Sequence, residues 1–216
     1  EITPSKTKLG LPENCFIFCA INNNYKILPE VFNSWMKILE KVEQSVLWLL
    51  DTNELAKNNL LRETELRKIS SDRIVFAKKT SYDIYLSQFQ HADLFLDTFV
   101  YNAGATASNA LWMGVPVLTK IGQSYSSRMA SSLLHSIGLP ELITNSPEAY
   151  EKLAVELATN TNKLSTIKLK LKENRLQKAL FNTEIFTRNF EEGLQKVYKN
   201  YLEKNEPKNI FIKEKI

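Results

Sequence analysis

Short runs of apolar residues alternate with longer amphipathic stretches through the first two thirds of the chain, and no other feature constrains the fold as tightly. Phe16-Ile17-Phe18-Cys19-Ala20-Ile21 is almost continuously apolar, as a strand covered on both faces must be. Residues 29–42 then place Val31, Trp35, Ile38, Leu39 and Val42 at helical spacing. Ser45-Val46-Leu47-Trp48-Leu49-Leu50 reads as a second strand and residues 53–69 as a second helix. Arg73-Ile74-Val75-Phe76-Ala77 supplies a third strand, with a helix over 81–91. Asp93-Leu94-Phe95-Leu96-Asp97 is a fourth, and after a short helix over 106–113, Pro116-Val117-Leu118-Thr119 is a fifth. Strands separated by helices of this length pair in parallel through right-handed crossovers. The expected fold class is α/β: a doubly wound parallel sheet, Rossmann-like, over residues 1–145, followed by C-terminal helices.

The pattern changes at Ser146-Pro147-Glu148, where a Ser N-cap precedes a Pro at the first helical position. Helices are expected over 147–159, 162–179 and 183–205, so residues 146–207 read as helices packing on the same domain. Lys168-Leu169-Lys170-Leu171-Lys172 alternates like a strand, yet Leu164, Ile167, Leu171 and Leu176 favour a helix. Its lysines then form a solvated basic face, with a docking role as the alternative. Residues 208–216 read as a tail, frayed or belonging to a boundary.

Composition excludes several partners. The 216 residues carry 28 basic and 24 acidic side chains, a net charge of +4. Nucleic-acid binders concentrate far more positive charge on one face, so none is expected as a ligand. No apolar run approaches the ~20 residues that cross a bilayer, so no membrane partner is expected. Two cysteines, Cys15 and Cys19, are too few for a disulfide scaffold or a zinc ribbon. With no signal-peptide pattern after Glu1, the expectation is a reduced, cytoplasmic domain of a longer protein.

In open α/β sheets the ligand lies beyond the carboxyl ends of the strands, where strand order reverses. The loop after the fourth strand runs Asp97-Thr98-Phe99-Val100-Tyr101-Asn102-Ala103-Gly104-Ala105-Thr106 and leads straight into a helix. A helix start leaves backbone N–H groups unpaired and carries the positive end of the dipole. Small residues there would let a phosphate reach those donors; a tight turn capped by Thr106 is the alternative. It is neither a Walker loop nor the Gly-x-Gly-x-x-Gly fingerprint, which weakens ATPase and dehydrogenase readings. After the first strand comes Asn22-Asn23-Asn24-Tyr25-Lys26, and Lys26 could reach over the same crevice as a point charge. No metal site is suggested: the nearest carboxylate in the loop is Asp97, and His91 stands on an expected helix. His91 reads as a helix-end residue meeting the dipole or the strand edge, and His135 as a partly exposed helix residue.

Taken together, several of these segments resemble a known family. Asn22-Asn23-Asn24-Tyr25-Lys26-Ile27, Ser45-Val46-Leu47-Trp48-Leu49-Leu50, Arg73-Ile74-Val75-Phe76, Ala92-Asp93-Leu94-Phe95-Leu96-Asp97-Thr98, Ala110-Leu111-Trp112-Met113-Gly114-Val115-Pro116-Val117, Ser127-Arg128 and Phe181-Asn182-Thr183 match in order. They resemble the C-terminal catalytic half of the O-linked N-acetylglucosamine transferases, including bacterial tetratricopeptide-repeat and SPINDLY-like relatives. The resemblance covers about residues 9–207.

That resemblance implies a GT-B glycosyltransferase, in which two Rossmann-like halves hold the sugar donor between them and this chain is the donor-binding half. It implies inverting transfer from UDP-N-acetylglucosamine to a protein Ser or Thr, without a metal cofactor. The implied partners are the nucleotide sugar, an N-terminal catalytic half, upstream tetratricopeptide repeats and a protein acceptor. Lys26 matches the Lys that contacts the diphosphate and helps the leaving group depart, and Asn23 matches a Gln that also contacts it. Gly104, Ala105 and Thr106 match the loop that offers backbone N–H groups and hydroxyls to the diphosphate. Tyr85 matches a ring stacked near the uracil, and Asn109 an acidic residue on the ribose.

Departures from the family pattern qualify this. Gly104-Ala105-Thr106 stands where His-Thr-Thr is common, removing an imidazole and a hydroxyl. Asn109 replaces a carboxylate, and Tyr82 and Gln88 occupy the positions of a uridine-side Lys and Arg. Donor affinity is therefore expected to be weak or its preference shifted, since charge-assisted bonds are roughly twice as strong as neutral ones. Arg128 is a further polar candidate, for the donor, for the partner half or for tying down its own loop. The isolated chain is expected to lack transferase activity. The alternatives are a non-catalytic nucleotide-sugar-binding or scaffold module of the same descent, and an N-glucosyltransferase using UDP-glucose.

Overall fold

A computed structural model describes residues 3–212. Five strands fall where the apolar runs place them: β1 Phe16–Ala20, β2 Ser45–Leu50, β3 Ile74–Ala77, β4 Leu94–Leu96 and β5 Val117–Lys120. A sixth, β6 Ile143–Thr144, extends the sheet beyond the expected five. It pairs Thr119 with Ile143 and Lys120 with Thr144, and two residues are too few to show a periodicity. All pairs are parallel, in the order β3-β2-β1-β4-β5-β6. The order reverses between β1 and β4, where Phe18 faces Leu94 and Cys19 faces Phe95. That switch point splays the loops after β1 and β4 apart and opens a crevice at the carboxyl edge.

Helices α1 Pro29–Lys41, α2 Glu54–Leu66, α3 Tyr82–Gln88, α4 Ala105–Trp112 and α5 Met129–Ser136 follow β1 to β5 in turn. The chain closes with α6 Pro147–Thr159, α7 Thr161–Gln177 and α8 Thr183–Leu202. Helix α2 stops three residues short of the expected end, where the chain reverses through Lys68 at φ 61°. Asn53, Ser146, Asn160 and Asn182 cap α2, α6, α7 and α8, each side chain accepting from the N–H three residues on.

The core lies on both faces of the sheet, around the fully buried Phe18, Trp35, Trp48, Phe89, Phe95 and Tyr150. Helix α6 locks onto α1 through Ser34 Oγ to Glu151 Oε1 at 2.8 Å and Trp35 Nε1 to the Tyr150 hydroxyl at 3.2 Å. That hydroxyl donates in turn to Asp97 O at 3.0 Å, so a C-terminal helix braces the end of β4. Helix α7 is tied down by Lys168 to Asp93 at 3.1 Å and by Asn174 Nδ2 to Ile137 O at 2.8 Å. Two of the lysines read as a solvated face are thus partly used: Lys168 on Asp93 and Lys170 on Glu141 at 2.7 Å. Helix α8 buries none of its residues and leaves Phe186, Phe190, Leu194, Val197, Tyr198 and Tyr201 exposed. Of the tail, Phe211 O accepts from Lys196 at 3.2 Å, and residues 213–216 lie outside the described residues.

Candidate functional site

The loop after β4 is wound around one buried carboxylate. Asp97 Oδ1 accepts from the backbone N–H groups of Thr98 at 2.8 Å and Ala103 at 2.7 Å, and Oδ2 from the Thr119 hydroxyl at 2.7 Å. Burial pushes its pKa up to about 7, against the opposing pull of these three donors and of Lys26. Thr98 Oγ1 donates to Tyr101 O at 2.6 Å, and Asn102 Nδ2 to Thr98 O at 2.5 Å. The result is a rigid turn that delivers the chain to α4.

Helix α4 opens without a capping side chain. Its N-cap is Gly104, and Thr106 lies inside the first turn, so the capped turn weighed from the sequence is not what forms. A Cβ on Gly104 would meet Met129 Cγ at 3.5 Å, an ordinary contact, so the glycine leaves the opening bare rather than relieving a clash. First-turn amides with no cap, at the positive end of a helix dipole, suit an anion.

Lys26 arrives from the other side of the switch point, at the end of a 3-10 turn over Asn24–Lys26. Its ammonium donates to Asn102 O at 3.1 Å and sits 4.0 Å from the centre of the Tyr101 ring. Burial lowers its pKa and the Asp97 charge raises it. The same crevice holds buried amide atoms without partners: both side-chain polar atoms of Asn22 and Oδ1 of Asn102. Such groups cost stability unless water or a ligand satisfies them.

Beside this lies a cavity of about 310 Å³, lined among others by Asn23, Thr80, Tyr85, Gln88 and Thr106. Tyr85 is half-buried, set edge-on to Phe89 at 5.3 Å. Burial raises its pKa, offset in part by the side chains of Asn109 and Thr106. Gln88 is buried, with no hydrogen bond to its side chain among the described residues. Tyr82 is exposed and donates from its hydroxyl to Asn109 Oδ1 at 3.2 Å. Asn23, Lys26, Tyr82, Tyr85, Gln88, Gly104, Ala105, Thr106 and Asn109 therefore share one edge of the sheet.

Arg128 stands apart. It is exposed and lines a separate hollow of about 490 Å³ with Tyr125, Met129 and the exposed His135. His91 closes a 3-10 turn over Phe89–His91, the helix-end position expected of it, and a ring nitrogen lies 2.8 Å from Pro4 O, pinning the N-terminal segment. Among the described residues no three His, Cys, Asp or Glu side chains are grouped as metal ligands. Sequence reasoning weighed Asp97 only as a metal ligand and passed over Tyr101 and Asn102. The signal for the first was an acidic residue closing an otherwise apolar strand; the other two carried none.

The profile of glycosyl transferase family 41 matches residues 1–190. The UDP-N-acetylglucosamine–peptide N-acetylglucosaminyltransferase of Caenorhabditis elegans is 32% identical over 197 residues, which span 91% of this chain and 17% of that protein. The probable enzyme of the same description named SEC, from Arabidopsis thaliana, is 32% identical over 212 residues, 98% of this chain and 22% of its own length. Among solved structures, a mutant of the Thermobaculum terrenum O-GlcNAc transferase superposes with a TM-score of 0.82 at 26% identity, covering 92% of this chain and 39% of that one. A glycosyltransferase of Rickettsia africae, at 14% identity and a TM-score of 0.61 over 91% of this chain and 50% of its own, shares the fold alone. The chain thus spans about a fifth of the length of these curated relatives and two fifths of the solved O-GlcNAc transferase.

Proposed function

The chain belongs to glycosyl transferase family 41, and from that premise we propose that it is the donor-binding half of a GT-B enzyme that transfers N-acetylglucosamine from its UDP derivative to protein Ser or Thr. One observation carries the reading. At the switch point of the sheet, the Lys26 ammonium lies 3.1 Å from Asn102 O, on the loop that opens an uncapped α4. A cation and a row of free amides converge there on a place for a diphosphate.

The chemistry follows from that convergence. When the bond between the sugar's anomeric carbon and the β-phosphate oxygen breaks, UDP departs with one more negative charge. Lys26 and the amides at Gly104, Ala105 and Thr106 are fixed in advance where that charge grows, so they stabilise it without reorganising. No metal is called on for this role. The acceptor hydroxyl attacks from the opposite face, with inversion, and its proton leaves toward the other half of the enzyme. Tyr85 faces the base, Asn109 the ribose and Asn23 the diphosphate, with Tyr82 and Gln88 beside them. Arg128 faces the partner half.

Residues 1–145 carry the donor site and residues 146–207 brace it from behind, Tyr150 reaching Asp97 O. The greater length of the relatives supports a further part of the protein outside this chain; in this reading that part holds the other half and tetratricopeptide repeats, and the whole is cytoplasmic. Calorimetry of this chain with uridine diphosphate tests the reading. Binding is expected, weakened at least tenfold by Lys26→Ala, with no sugar transfer by the isolated chain. Absence of heat at millimolar ligand would contradict it and favour a scaffold.

A further inference from the structure

The Lys26 side chain is held by more than its backbone. Its ammonium is 4.0 Å from the centre of the Tyr101 ring, within the range where a cation is drawn to an aromatic face. An ammonium has three N–H donors. Here one is given to Asn102 O at 3.1 Å and another side is covered by the ring, which leaves a remaining direction for a ligand.

The ring is anchored. Tyr101 O accepts from the Thr98 hydroxyl at 2.6 Å, and the next N–H, that of Asn102, donates to Ser126 O at 3.0 Å. Tyr25, one residue before Lys26, lies 6.2 Å from Tyr101 ring to ring. Tyr101 is half exposed at 50%, and its hydroxyl bonds nothing among the described residues. The ring face is therefore what this residue contributes.

We propose that Tyr101 is a positioning residue: its ring clamps the Lys26 ammonium against Asn102 O, so that the third N–H is aimed at a diphosphate seated on the opening of α4. This rests on the reading of the crevice as a diphosphate site. A free Lys samples many rotamers, and each must be given up when it meets a phosphate. A clamped one has given them up beforehand, so the clamp appears in affinity for the diphosphate.

Calorimetry with uridine diphosphate on five forms of the chain separates this from a general effect on the loop. Tyr101→Leu weakens binding about threefold to tenfold, the scale of one cation–ring contact at a half-buried site. Tyr101→Phe, which keeps the face and drops the hydroxyl, stays within about twofold. In a Lys26→Ala background, Tyr101→Leu has no further effect, because the residue acts only through that ammonium. Should Tyr101→Leu not fold, Tyr101→Met takes its place. The clamp is overturned, and the donor site left standing, if Lys26→Ala weakens binding while Tyr101→Leu does not. It is equally overturned if Phe loses as much as Leu, or if the Lys26 and Tyr101 losses simply add. If the unaltered chain binds no uridine diphosphate, the donor site and the clamp fall together.

Discussion

The two edges of the sheet are built from similar residues and treat them in opposite ways. At the amino edge, Arg73 spends its guanidinium on Ser45 O at 2.9 Å, Val42 O at 2.7 Å and Ser45 Oγ at 3.0 Å. Asp93 likewise accepts from Ile17 N at 3.0 Å and from Lys168 at 3.1 Å. A hollow of about 770 Å³ lies here, lined by Glu13, Glu43, Asp72 and Arg73 among others. At the carboxyl edge the cavity is smaller, about 310 Å³. Yet Asn22 and Asn102 hold buried atoms without partners, and α4 opens uncapped. What distinguishes the two is whether the polar groups are already satisfied. The amino edge spends them on structure, while the carboxyl edge keeps them for a ligand and accepts the instability.

The largest effect expected of this contrast is on pH. Asp97, buried at the carboxyl edge, has its pKa raised from 3.8 to about 7 by burial. The folded state then holds its proton over a range where the unfolded chain has lost it. Its contribution to stability is therefore full below pH 3.8 and is lost as pH rises toward 7. The slope is about 1.4 kcal/mol per pH unit at its steepest. Denaturant unfolding at a series of pH values should show this loss in the unaltered chain and a flatter curve in Asp97→Asn. Parallel curves would mean that the three donors offset burial, and a loss on acidification that they outweigh it.

At the amino edge, Arg73→Leu should lower the unfolding free energy by about 1.5–3 kcal/mol, the worth of charge-assisted bonds to carbonyls left without a donor. Uridine diphosphate affinity should stay unchanged, which calorimetry checks; a shared loss would erase the distinction between the edges. The converse variant, Lys26→Ala, should cost ten- to a hundredfold in that affinity, about 1.4–2.8 kcal/mol, and little in thermal midpoint.

Smallest is Asn109→Asp, which restores a carboxylate beside Tyr82 and Tyr85. A charged acceptor for a ribose hydroxyl should tighten uridine diphosphate binding by a few-fold. A weaker complex would place the ribose elsewhere.

The fold was largely legible because buried parallel strands are apolar on both faces and their helices repeat at a different period. Phe16–Ala20 and Pro29–Lys41 show this without ambiguity. Ile143–Thr144 was not legible, since a strand of two residues exists only through its pairing with β5. In the site, Lys26 and the amides before it stood out because their types are costly at the end of a strand, and the small residues after Asn102 because they leave a helix opening accessible. Tyr101 did not, because nothing in its neighbours tells that its ring lies under an ammonium from a loop 75 residues earlier. Asp97 was visible as an acidic residue but not as the hub of its loop, which required knowing that Ala103 and Thr119 close around it. Side chains that act locally could be read; those that act across the switch point needed the fold.

The account turns on where a nucleoside diphosphate settles, and amide chemical shifts of the isotopically labelled chain during a titration with uridine diphosphate report it residue by residue. The expected shifts are at Lys26, at Gly104, Ala105 and Thr106, and near Tyr85, with Glu13, Glu43 and Arg73 unmoved. Shifts gathered at the amino-edge hollow, or none at millimolar ligand, would contradict it.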